Sequence, residues 1–584
     1  MYTYKKHLIL FIIMFFLMPF CGMASNIFEM PDGVSVIMGK MPVDSEKFTF
    51  AIIADKTGGG ENNWPIFDRA VAEINLLNPD FVMTIGDHIQ GYVSDLEVVK
   101  GMWKEYFDHL SKLEAPVFLV PGNHDISNTV MYNYWKENIG KTYYSFNYKG
   151  YHFLIINSEE SQSPNGEKAV AEQLDFIRND IKNNKNARQI FIFIHQPIWL
   201  EKGGWESIES ALMDTNYRVF AGHTHQINFE NRNERPYLII ATTGAGMQES
   251  SVEELGSFHH LTMVSVDGAI SKVAIIKPGN IFPETISTAE FTKKVLALGI
   301  FDAKTNIPID FEKEMINGNL TFKFSNKLPE PVRIEIEAPK ANRARWRVIP
   351  EIASVSLEVE EEAQLNFDLI CRSDELLPAP TYNYKLYYGG ELMWGGSSQI
   401  ELTDKSKMPA ISEWMVVGPF SLGIDSTPPS SVDIKTAAPK FIEKLAPEEN
   451  WQLNTIYDIN GKTASWKLHK ADNAGTVQLD DALGSLNYVI GYAQTFVYSP
   501  VDSTILVAVK GDDLARIFVN GEAATDYRLS ASGELDFRVL HLNKGWNRLM
   551  VKCANYSGDW SFIMKFNDAK NPLKFLTEAK ADVE

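Results

Sequence analysis

Cysteines and long apolar runs are scarce in this sequence. Only three of its 584 residues are cysteines, Cys21, Cys371 and Cys553, which are too few for a disulfide framework or a thiolate-bound metal cluster. The last two either pair with each other or remain thiols. Beyond the N-terminal segment, no stretch reaches the about 18 uninterrupted apolar residues that a membrane-spanning helix needs, so we expect no transmembrane span. A metal site in this chain must therefore use nitrogen and oxygen ligands.

Basic residues are outnumbered by acidic ones. The chain has 55 Lys and Arg residues against 75 Asp and Glu residues, which gives a formal net charge of −20. A surface of this sign repels a phosphate backbone, so we expect no nucleic-acid partner. Hydrophobic residues make up 45% of the sequence, enough for sizeable cores. The length predicts about two to four globular domains.

The N-terminus has the features of a signal peptide. Two lysines precede the short apolar run Leu8–Leu17, and small residues end the segment at Ala24. We therefore predict a signal peptide over residues 1–24 and an exported mature chain that is periplasmic, secreted or on the cell surface. Lipid attachment at Cys21 is the alternative, which the bulky Phe20 beside it disfavours.

The next part of the chain alternates apolar runs with amphipathic helical patterns. Buried strands are predicted at Phe48–Ala54, Phe81–Ile85, Val117–Val120, Phe153–Asn157, Ile190–His195 and Arg218–Ala221. Helices are predicted at Phe67–Leu77, Leu96–Leu113, Val130–Asn138, Ala169–Ile181 and Trp205–Met213. This alternation predicts an α/β domain, over residues 25–288, whose functional loops follow the carboxyl ends of the strands.

After Pro278 the helical patterns fade and short strand-like runs follow. They predict an immunoglobulin-like β-sandwich over residues 289–408 and a jelly-roll β-sandwich over residues 409–584. The dipeptide Asn520-Gly521 predicts a hairpin turn in the last domain. Its Trp546 and Trp560 either belong to the core, the interpretation we favour, or stack on the sugar rings of a glycan partner.

Five polar segments each follow a predicted strand. A parallel sheet brings such segments to one edge, so we expect their side chains to meet. Carboxylate, imidazole and amide groups suit divalent Mn, Fe or Zn, and two such ions about 3.5–4 Å apart suit the hydrolysis of a phosphoester. The segments are Asp55-Lys56-Thr57, Gly86-Asp87-His88, Gly122-Asn123-His124-Asp125, His195-Gln196-Pro197 and Gly222-His223-Thr224-His225.

This motif set, over residues 46–278, resembles that of the calcineurin-like metallophosphoesterase superfamily. The resemblance implies an α/β/β/α four-layer sandwich, two divalent metal ions and a phosphomono- or phosphodiester substrate that is attacked by a hydroxide bridging the ions. It implies that Asp87 binds both ions. One ion would also take Asp55 and His225, and the other would take Asn123, His195 and His223.

The resemblance also implies a general acid. His124 would protonate the departing oxygen of the substrate, and Asp125 would orient the His124 ring. His88, which follows the bridging carboxylate, is expected to face away from the metals as an outer or core histidine.

The sequence departs from the family pattern at Thr57, where the first motif usually has a second histidine. Purple acid phosphatases, one branch of the superfamily, also lack that histidine and use a tyrosine at the position that is Gln90 here. We predict Gln90 as the replacement ligand, ahead of Thr57 and Tyr92. The departure keeps a second interpretation open, namely a phosphate- or glycan-binding surface protein with weakened catalysis, although a binder has little need of an acid such as His124.

Overall fold

The computed structural model describes residues 46–577 with several gaps. The gaps cover residues 59–62, 94, 201–203, 339–344, 424–438, 460, 485, 487, 527–534, 556–559 and 568–572. The predicted signal peptide and Cys21 lie outside the described residues. Within them, Cys371 and Cys553 are buried free thiols. Every helix in this part of the chain is too short or too polar to span a bilayer.

The N-terminal half is built from two six-stranded sheets and the helices that cover them. Its strands are β1 (Phe48–Ala54), β2 (Phe81–Ile85), β3 (Val117–Phe118), β4 (Tyr144–Tyr148), β5 (Tyr151–Ile156), β6 (Ile190–Ile194), β7 (Tyr217–Ala221), β8 (Asn228–Arg232), β9 (Arg235–Ile239), β10 (Leu261–Asp267), β11 (Ile270–Lys277) and β12 (Asn280–Pro283). Its helices are α1 (Trp64–Leu77), α2 (Leu96–Leu110), α3 (Thr129–Asn138), α4 (Glu167–Asn184), α5 (Trp205–Leu212) and α6 (Ala289–Leu296).

The two sheets have different strand orders. The first sheet runs β12-β11-β10-β1-β2-β3, and its β1 and β2 are parallel. The second runs β4-β5-β6-β7-β9-β8, and β5, β6 and β7 are parallel in it. The carboxyl ends of β1 and β2 are therefore neighbours in one sheet, as are those of β6 and β7 in the other.

An aromatic layer fills the space between the sheets. The Phe50 ring on β1 is fully buried, stacks on Phe81 at 5.2 Å between ring centroids, and meets the edges of Phe153 and Phe191 on the second sheet. Helices α1, α2 and α3 pack on the outer face of the first sheet, and α4 and α5 pack on the outer face of the second. The predicted α/β/β/α sandwich is confirmed.

The predicted strands and helices of this half are all present, with shifts at their ends. Helix α2 begins where the Asp95 carboxylate accepts hydrogen bonds from the backbone N–H groups of Glu97 and Val98, which caps its first turn. Strand β3 is shorter than predicted. Its chain leaves the sheet before Val120, whose carbonyl instead accepts a hydrogen bond from the Gly86 N–H group. The two loops that carry the second and third motifs are thus joined through their backbones.

The C-terminal half is nearly all β-strand, as expected. Its first strands are β13 (Lys304–Asn306), β14 (Met315–Ser325), β15 (Val332–Glu337), β16 (Arg347–Ile349), β17 (Ile352–Leu357), β18 (Glu362–Arg372), β19 (Thr381–Tyr388) and β20 (Glu391–Gln399). They form two four-stranded sheets, β13-β14-β18-β16 and β17-β15-β19-β20, that share one apolar core. We call this unit the middle β-sandwich.

The last part of the chain forms a second pair of facing sheets. Its strands are β21 (Glu413–Ser421), β22 (Ile456–Ile459), β23 (Lys462–Ser465), β24 (Lys467–Lys470), β25 (Thr476–Gln478), β26 (Val489–Ser499), β27 (Ser503–Asp512), β28 (Leu514–Val519), β29 (Glu522–Ala523), β30 (Asp536–Leu542), β31 (Gly545–Asn555), β32 (Ser561–Phe566) and β33 (Lys574–Leu576). Short helices are α7 (Ala446–Glu449) and α8 (Leu479–Leu483). A seven-stranded sheet, β24-β21-β26-β31-β28-β29 with β33 beside β26, faces the sheet β25-β32-β27-β30.

The core of this last pair of sheets contains Trp560, which is fully buried, so this residue is core as we favoured. Asn520 and Gly521, both with positive φ, form the predicted turn between β28 and β29. Single 3-10 turns lie at Glu160–Gln162, Ile198–Leu200, Glu253–Leu255, Glu284–Ile286, Ser373–Glu375 and Lys405–Lys407. The domain boundaries after residues 288 and 408 stay predictions.

The aromatic layer gives a test of the fold. Phe50→Ala removes a fully buried ring that contacts six other aromatic rings and leaves a cavity, so the free energy of unfolding should fall by about 3–5 kcal/mol. Chemical denaturation of the full chain measures the change. The control is Leu76→Ala on α1, where the side chain is 86% exposed and the change should stay within about 0.5 kcal/mol. A Phe50→Ala value as small as that of the control would contradict the shared core.

Candidate metal centre

Four strands carry the site at their carboxyl ends. Asp55 directly follows β1 and His195 directly follows β6, while Asp87 and His223 lie two residues beyond β2 and β7. The two parallel strand pairs belong to sheets packed face to face, so the loops after them meet at one edge of the sandwich. The first, second, fourth and fifth motifs are brought together there, and the third joins them through the loop after β3.

Left-handed backbone conformations mark the residues of this edge. The φ angles are 47° at Asp55, 56° at Asp87, 72° at His223 and 55° at His225. Such angles cost residues other than glycine on the order of 1–3 kcal/mol and persist where the surroundings enforce them. Backbone hydrogen bonds do so here, for example from Asp55 N–H to the Gly86 carbonyl at 3.2 Å. Strain of this kind is typical of functional sites.

One set of donor atoms, the Asn123 group, consists of Asp87, Asn123, His195 and His223. The Asn123 Oδ1 atom lies 2.9 Å from both His195 Nε2 and His223 Nδ1, and these two nitrogens are 3.2 Å apart. Asp87 Oδ2 lies 3.2 Å from His195 Nε2. Adjacent ligands of one ion with bonds of about 2.1 Å are roughly 3 Å apart, so this spacing fits a shared cation.

A second set, the Asp55 group, consists of Asp55, Asp87 and His225. Their ligand atoms lie within 4.8 Å of one another, and His225 Nε2 is 3.4 Å from Asp55 Oδ1. Asp87 belongs to both groups, so two cations held here would be neighbours. The structure thus brings six of the seven residues expected to bind metal into the two sets expected. Their roles as ligands, and that of Gln90, stay predictions.

Backbone carbonyls fix which ring nitrogen each histidine presents. The Nδ1–H groups of His195 and His225 donate to the carbonyls of Ile85 and Gly246, at 3.1 and 2.8 Å. Each ring therefore turns Nε2 toward the carboxylates. Hydrogen bonds of this kind set the tautomer and orientation of metal-binding histidines.

The charges at the site are strongly coupled. Burial alone would raise the pKa of Asp87, but the His195 cation beside it lowers that pKa to about 2. Burial alone would lower the pKa of His195, whereas the Asp87 and Asp55 carboxylates raise it to about 10. Burial and the neighbouring His195 lower the pKa of His223 to about 4. Burial raises the pKa of Asp55. A positive charge is therefore stabilised on His195 and disfavoured on the neighbouring His223.

Two glycines make room for the carboxylates, a role that the sequence patterns did not reveal. A Cβ atom on Gly122 would lie 2.4 Å from Asp87 Oδ1, and one on Gly222 would lie 2.4 Å from Asp55 Oδ2. Neither distance is compatible with a side chain. Their signal in the sequence is the position of a glycine directly before Asn123 and His223, two of the predicted ligands.

His124 lies beside the two donor groups. Its Nε2 atom is 4.0 Å from Asp87 Oδ2, its Nδ1–H group donates to the Gln90 carbonyl at 2.7 Å, and the Tyr92 ring meets it edge-on. The ring is therefore oriented by a backbone carbonyl, with Nε2 toward the centre.

The expected orientation of His124 by Asp125 is wrong. The fully buried Asp125 carboxylate accepts hydrogen bonds from the backbone N–H groups of Asp87, His88 and Gly122 at 2.8–2.9 Å, and from His88 Nδ1 at 2.7 Å. A carboxylate has about four acceptor sites, and backbone donors from the two motif loops use them. Asp125 therefore ties the loop of Asp87 to the loop of Gly122. His88 faces Asp125 and Thr84, away from the donor groups, as expected.

Two of the three candidates for the missing ligand lie together, and the third contacts the Asn123 group. The Thr57 hydroxyl donates to Gln90 Oε1 at 2.8 Å, so the two are neighbours. The Tyr92 hydroxyl accepts a hydrogen bond from Asn123 Nδ2 at 2.9 Å. Tyr92 therefore adjoins the Asn123 group, whereas the metal that lacks a histidine is expected in the Asp55 group. Gln90 stays the predicted replacement.

The donor set fits divalent cations. It consists of carboxylate, amide and imidazole atoms, which suit Mn, Fe or Zn, and the glycine-lined spaces beside the carboxylates leave them room. Asp87, shared between the groups, would hold both cations.

Comparison with known proteins gives one family model and two curated relatives. A family model described as calcineurin-like phosphoesterase matches residues 48–227. A protein of Coxiella burnetii named "Probable cyclic nucleotide phosphodiesterase" is 28% identical over 138 residues, which is 23% of this chain and 51% of that protein. A human serine/threonine-protein phosphatase is 30% identical over 149 residues, 23% of this chain and 46% of that protein. The chain spans about half the length of these curated relatives.

Two solved structures match about two fifths of this chain with low TM-scores. A dimetal phosphatase from Danio rerio is 14% identical and covers 39% of this chain and 98% of its own, with a TM-score of 0.28. The Plasmodium protein GAP50, an anchor in the inner membrane complex, is 14% identical and covers 41% of this chain and 88% of its own, with a TM-score of 0.31. The sequence match and the four-layer sandwich agree: residues 48–227 form a calcineurin-like phosphoesterase domain.

Proposed function

We propose that this protein is an exported hydrolase of phosphomono- or phosphodiesters that works with two divalent metal ions. The observation that carries the proposal is the sharing of Asp87 between the Asn123 group and the Asp55 group. Mn, Fe and Zn are the candidate ions, since the donors are oxygen and imidazole nitrogen. Export rests on the predicted signal peptide alone. The names of the two curated relatives, a phosphodiesterase and a phosphatase, support testing both ester classes.

The residues of the chain have distinct roles in this proposal. When bound, a pair of divalent cations lowers the pKa of water and neutralises charge on a phosphoryl group. Asp87, kept ionised by its low pKa, spans the two donor groups. His195 and His225 present Nε2 in a fixed orientation, and Asn123 contributes its amide oxygen. These side chains would hold the cations at the edge of the sandwich, where a phosphate would bind to them.

His124 would act as the proton donor to the leaving oxygen. Its Nδ1–H group stays bonded to the Gln90 carbonyl, so the proton that moves is the one on Nε2. Its Nε2 atom lies 4.0 Å from the shared Asp87 carboxylate, close enough to reach an oxygen of a phosphate held there. A positioned acid of this kind contributes about 100- to 10,000-fold to a rate.

A second candidate function is a phosphate-binding protein with little turnover. The hydrogen bond from Thr57 to Gln90 favours it, because it engages the amide oxygen that would complete the Asp55 group. In that case one of the two cations would bind weakly. A metal titration separates the two functions.

The metal requirement is tested first. We expect the chelator-treated chain to lose hydrolysis of aryl phosphates and to regain it with Mn, Fe or Zn. Asp87→Ala removes a donor from both groups. Loss of a residue that only contacts a metal ligand lowers activity by up to about 100-fold, so loss of this shared donor should lower kcat/KM by at least that factor. The control is Asp214→Asn at an exposed carboxylate, which should keep full activity. Turnover without metal, or an Asp87→Ala variant with full activity, would contradict the proposal.

The assignment of His124 is tested by the choice of leaving group. His124→Gln should lower kcat/KM about 100-fold or more for ethyl phosphate, which needs a proton on its leaving oxygen, and far less for 4-nitrophenyl phosphate. The control, His469→Gln in the last domain, should change neither rate. An equal loss on both substrates would mean that His124 is not the acid.

Asp125 should behave differently because it holds the loops. Asp125→Asn loses an acceptor for several buried N–H groups, so the free energy of unfolding should fall by about 1–3 kcal/mol. The rates on both substrates should fall by one common factor. A loss confined to ethyl phosphate would restore the original assignment of Asp125 as the partner of His124.

Gln90 is tested by metal binding. Gln90→Leu removes an oxygen donor and should lower the affinity for one of two cations by about tenfold or more. Gln90→Glu supplies a charged oxygen and should raise the affinity for the same cation. Isothermal titration of the metal-free chain measures both affinities. If neither variant alters either affinity, Gln90 is not a ligand.

A further inference from the structure

A cavity adjoins the Asp55 group on the side of His225. It has a volume of about 330 Å³ and is lined by His225 together with residues of the loop before β10 and of α6. A tryptophan of the middle β-sandwich completes it. The apolar side chains that line it are Met247, Leu255, Val295, Leu296 and Trp394.

The lining of this cavity is uncharged apart from the histidine. Its other members carry hydroxyl or amide groups, and no Lys, Arg, Asp or Glu is among the described residues that line it. Two of the polar members are engaged: the Thr224 hydroxyl donates to the Gln226 carbonyl, and Gln226 Nε2 donates to the Leu255 carbonyl at 2.6 Å. The surface left for a ligand is therefore largely apolar.

Hydrogen bonds between the two domains hold the wall of the cavity. The Trp394 indole N–H donates to Gln248 Oε1 at 3.2 Å, and Gln248 Nε2 donates to the Gly395 carbonyl. The Ser251 hydroxyl donates to the Leu392 carbonyl at 2.8 Å. Strand β20 is thus fixed against the loop that carries Met247 and Gln248, so the cavity is preformed rather than assembled around a ligand.

We infer that this cavity binds the organic group of the substrate, and that the preferred substrates are phosphoesters of flat, uncharged, apolar alcohols or phenols. The inference rests on the proposed function. His225 belongs both to the Asp55 group and to the cavity lining, so the cavity adjoins the place where cations held by the two donor groups would bind the phosphate. The ester oxygen joins the two parts of the substrate.

The volume sets the size of this group. A cavity of about 150 Å³ holds one benzene ring, so about 330 Å³ suits two fused rings. A second phosphate, a carboxylate or a charged peptide would lose its hydration against this lining without gaining a partner. Polyphosphates and phosphopeptides should therefore be poor substrates.

The test compares 2-naphthyl phosphate with phenyl phosphate, whose leaving oxygens have similar acidity, as monoesters and as methyl diesters. With the full chain and Mn²⁺, we expect kcat/KM to be about tenfold or more higher for the naphthyl ester, because the second ring adds apolar area to be buried. Affinities for 2-naphthylphosphonate and phenylphosphonate, measured by isothermal titration, should differ in the same direction. The titration does not depend on turnover.

Two variants alter opposite walls of the cavity. Trp394→Ala removes the wall from the middle β-sandwich, and Leu296→Asp places a charge on a side chain that is 50% exposed and tolerates it. Both should bring the naphthyl-to-phenyl ratio close to one in kcat/KM and in affinity. The control is Trp346→Ala, a partly buried tryptophan of the same β-sandwich outside the cavity, which should keep the ratio.

The outcomes separate the inference from the proposed function. Turnover without a naphthyl preference, or a preference that both cavity variants retain, overturns the inference and leaves the phosphoesterase intact. A naphthyl preference in binding that both variants abolish, in a chain that hydrolyses neither ester, supports the cavity and overturns the proposed function. Equal affinities for both phosphonates in the unaltered chain overturn the inference whatever the turnover.

Discussion

The attraction between one buried carboxylate and the positive charge around it organises the N-terminal domain. Asp87 is 2% exposed and its pKa lies at about 2, because His195 faces it across 3.2 Å. An ionised group at that depth is unfavourable unless it is paired and hydrogen-bonded. Its Oδ1 atom also accepts a hydrogen bond from the backbone N–H group of His124, and Gly122 leaves space beside the carboxylate because it has no side chain. The loops after β2, β3 and β6 therefore meet at a single carboxylate.

Much of this domain could be predicted because buried strands leave a direct record in the sequence. Runs such as Ile190–Ile194 are apolar throughout, since both of their faces are covered, and the polar residue that follows each run is a candidate for the sheet edge. The grouping of Asp55, Asp87 and His225 follows from that rule and from the family resemblance. The predicted ends of strands are less accurate. The prediction for β3 extends to Val120, but the strand ends at Phe118 and the Val120 carbonyl accepts a hydrogen bond from the Gly86 N–H group.

The errors have a common physical source, namely contacts made by the main chain. The Asp125 carboxylate accepts hydrogen bonds from backbone N–H groups of Asp87, His88 and Gly122, and the His124 ring donates to the Gln90 carbonyl. Such groups are present in every residue, so a pattern of side chains carries no information about them. The wall formed by Trp394 was also beyond prediction, because it joins positions more than 140 residues apart.

The hydrogen bonds that hold β20 against the loop of Gln248 have an evolutionary consequence. Every donor atom of the metal centre comes from the part of the gene before residue 226, whereas the tryptophan that completes the cavity is encoded far downstream, in a separate module. In the proposed arrangement, exchange of this module by recombination would alter the lining of the cavity and leave every proposed metal ligand in place.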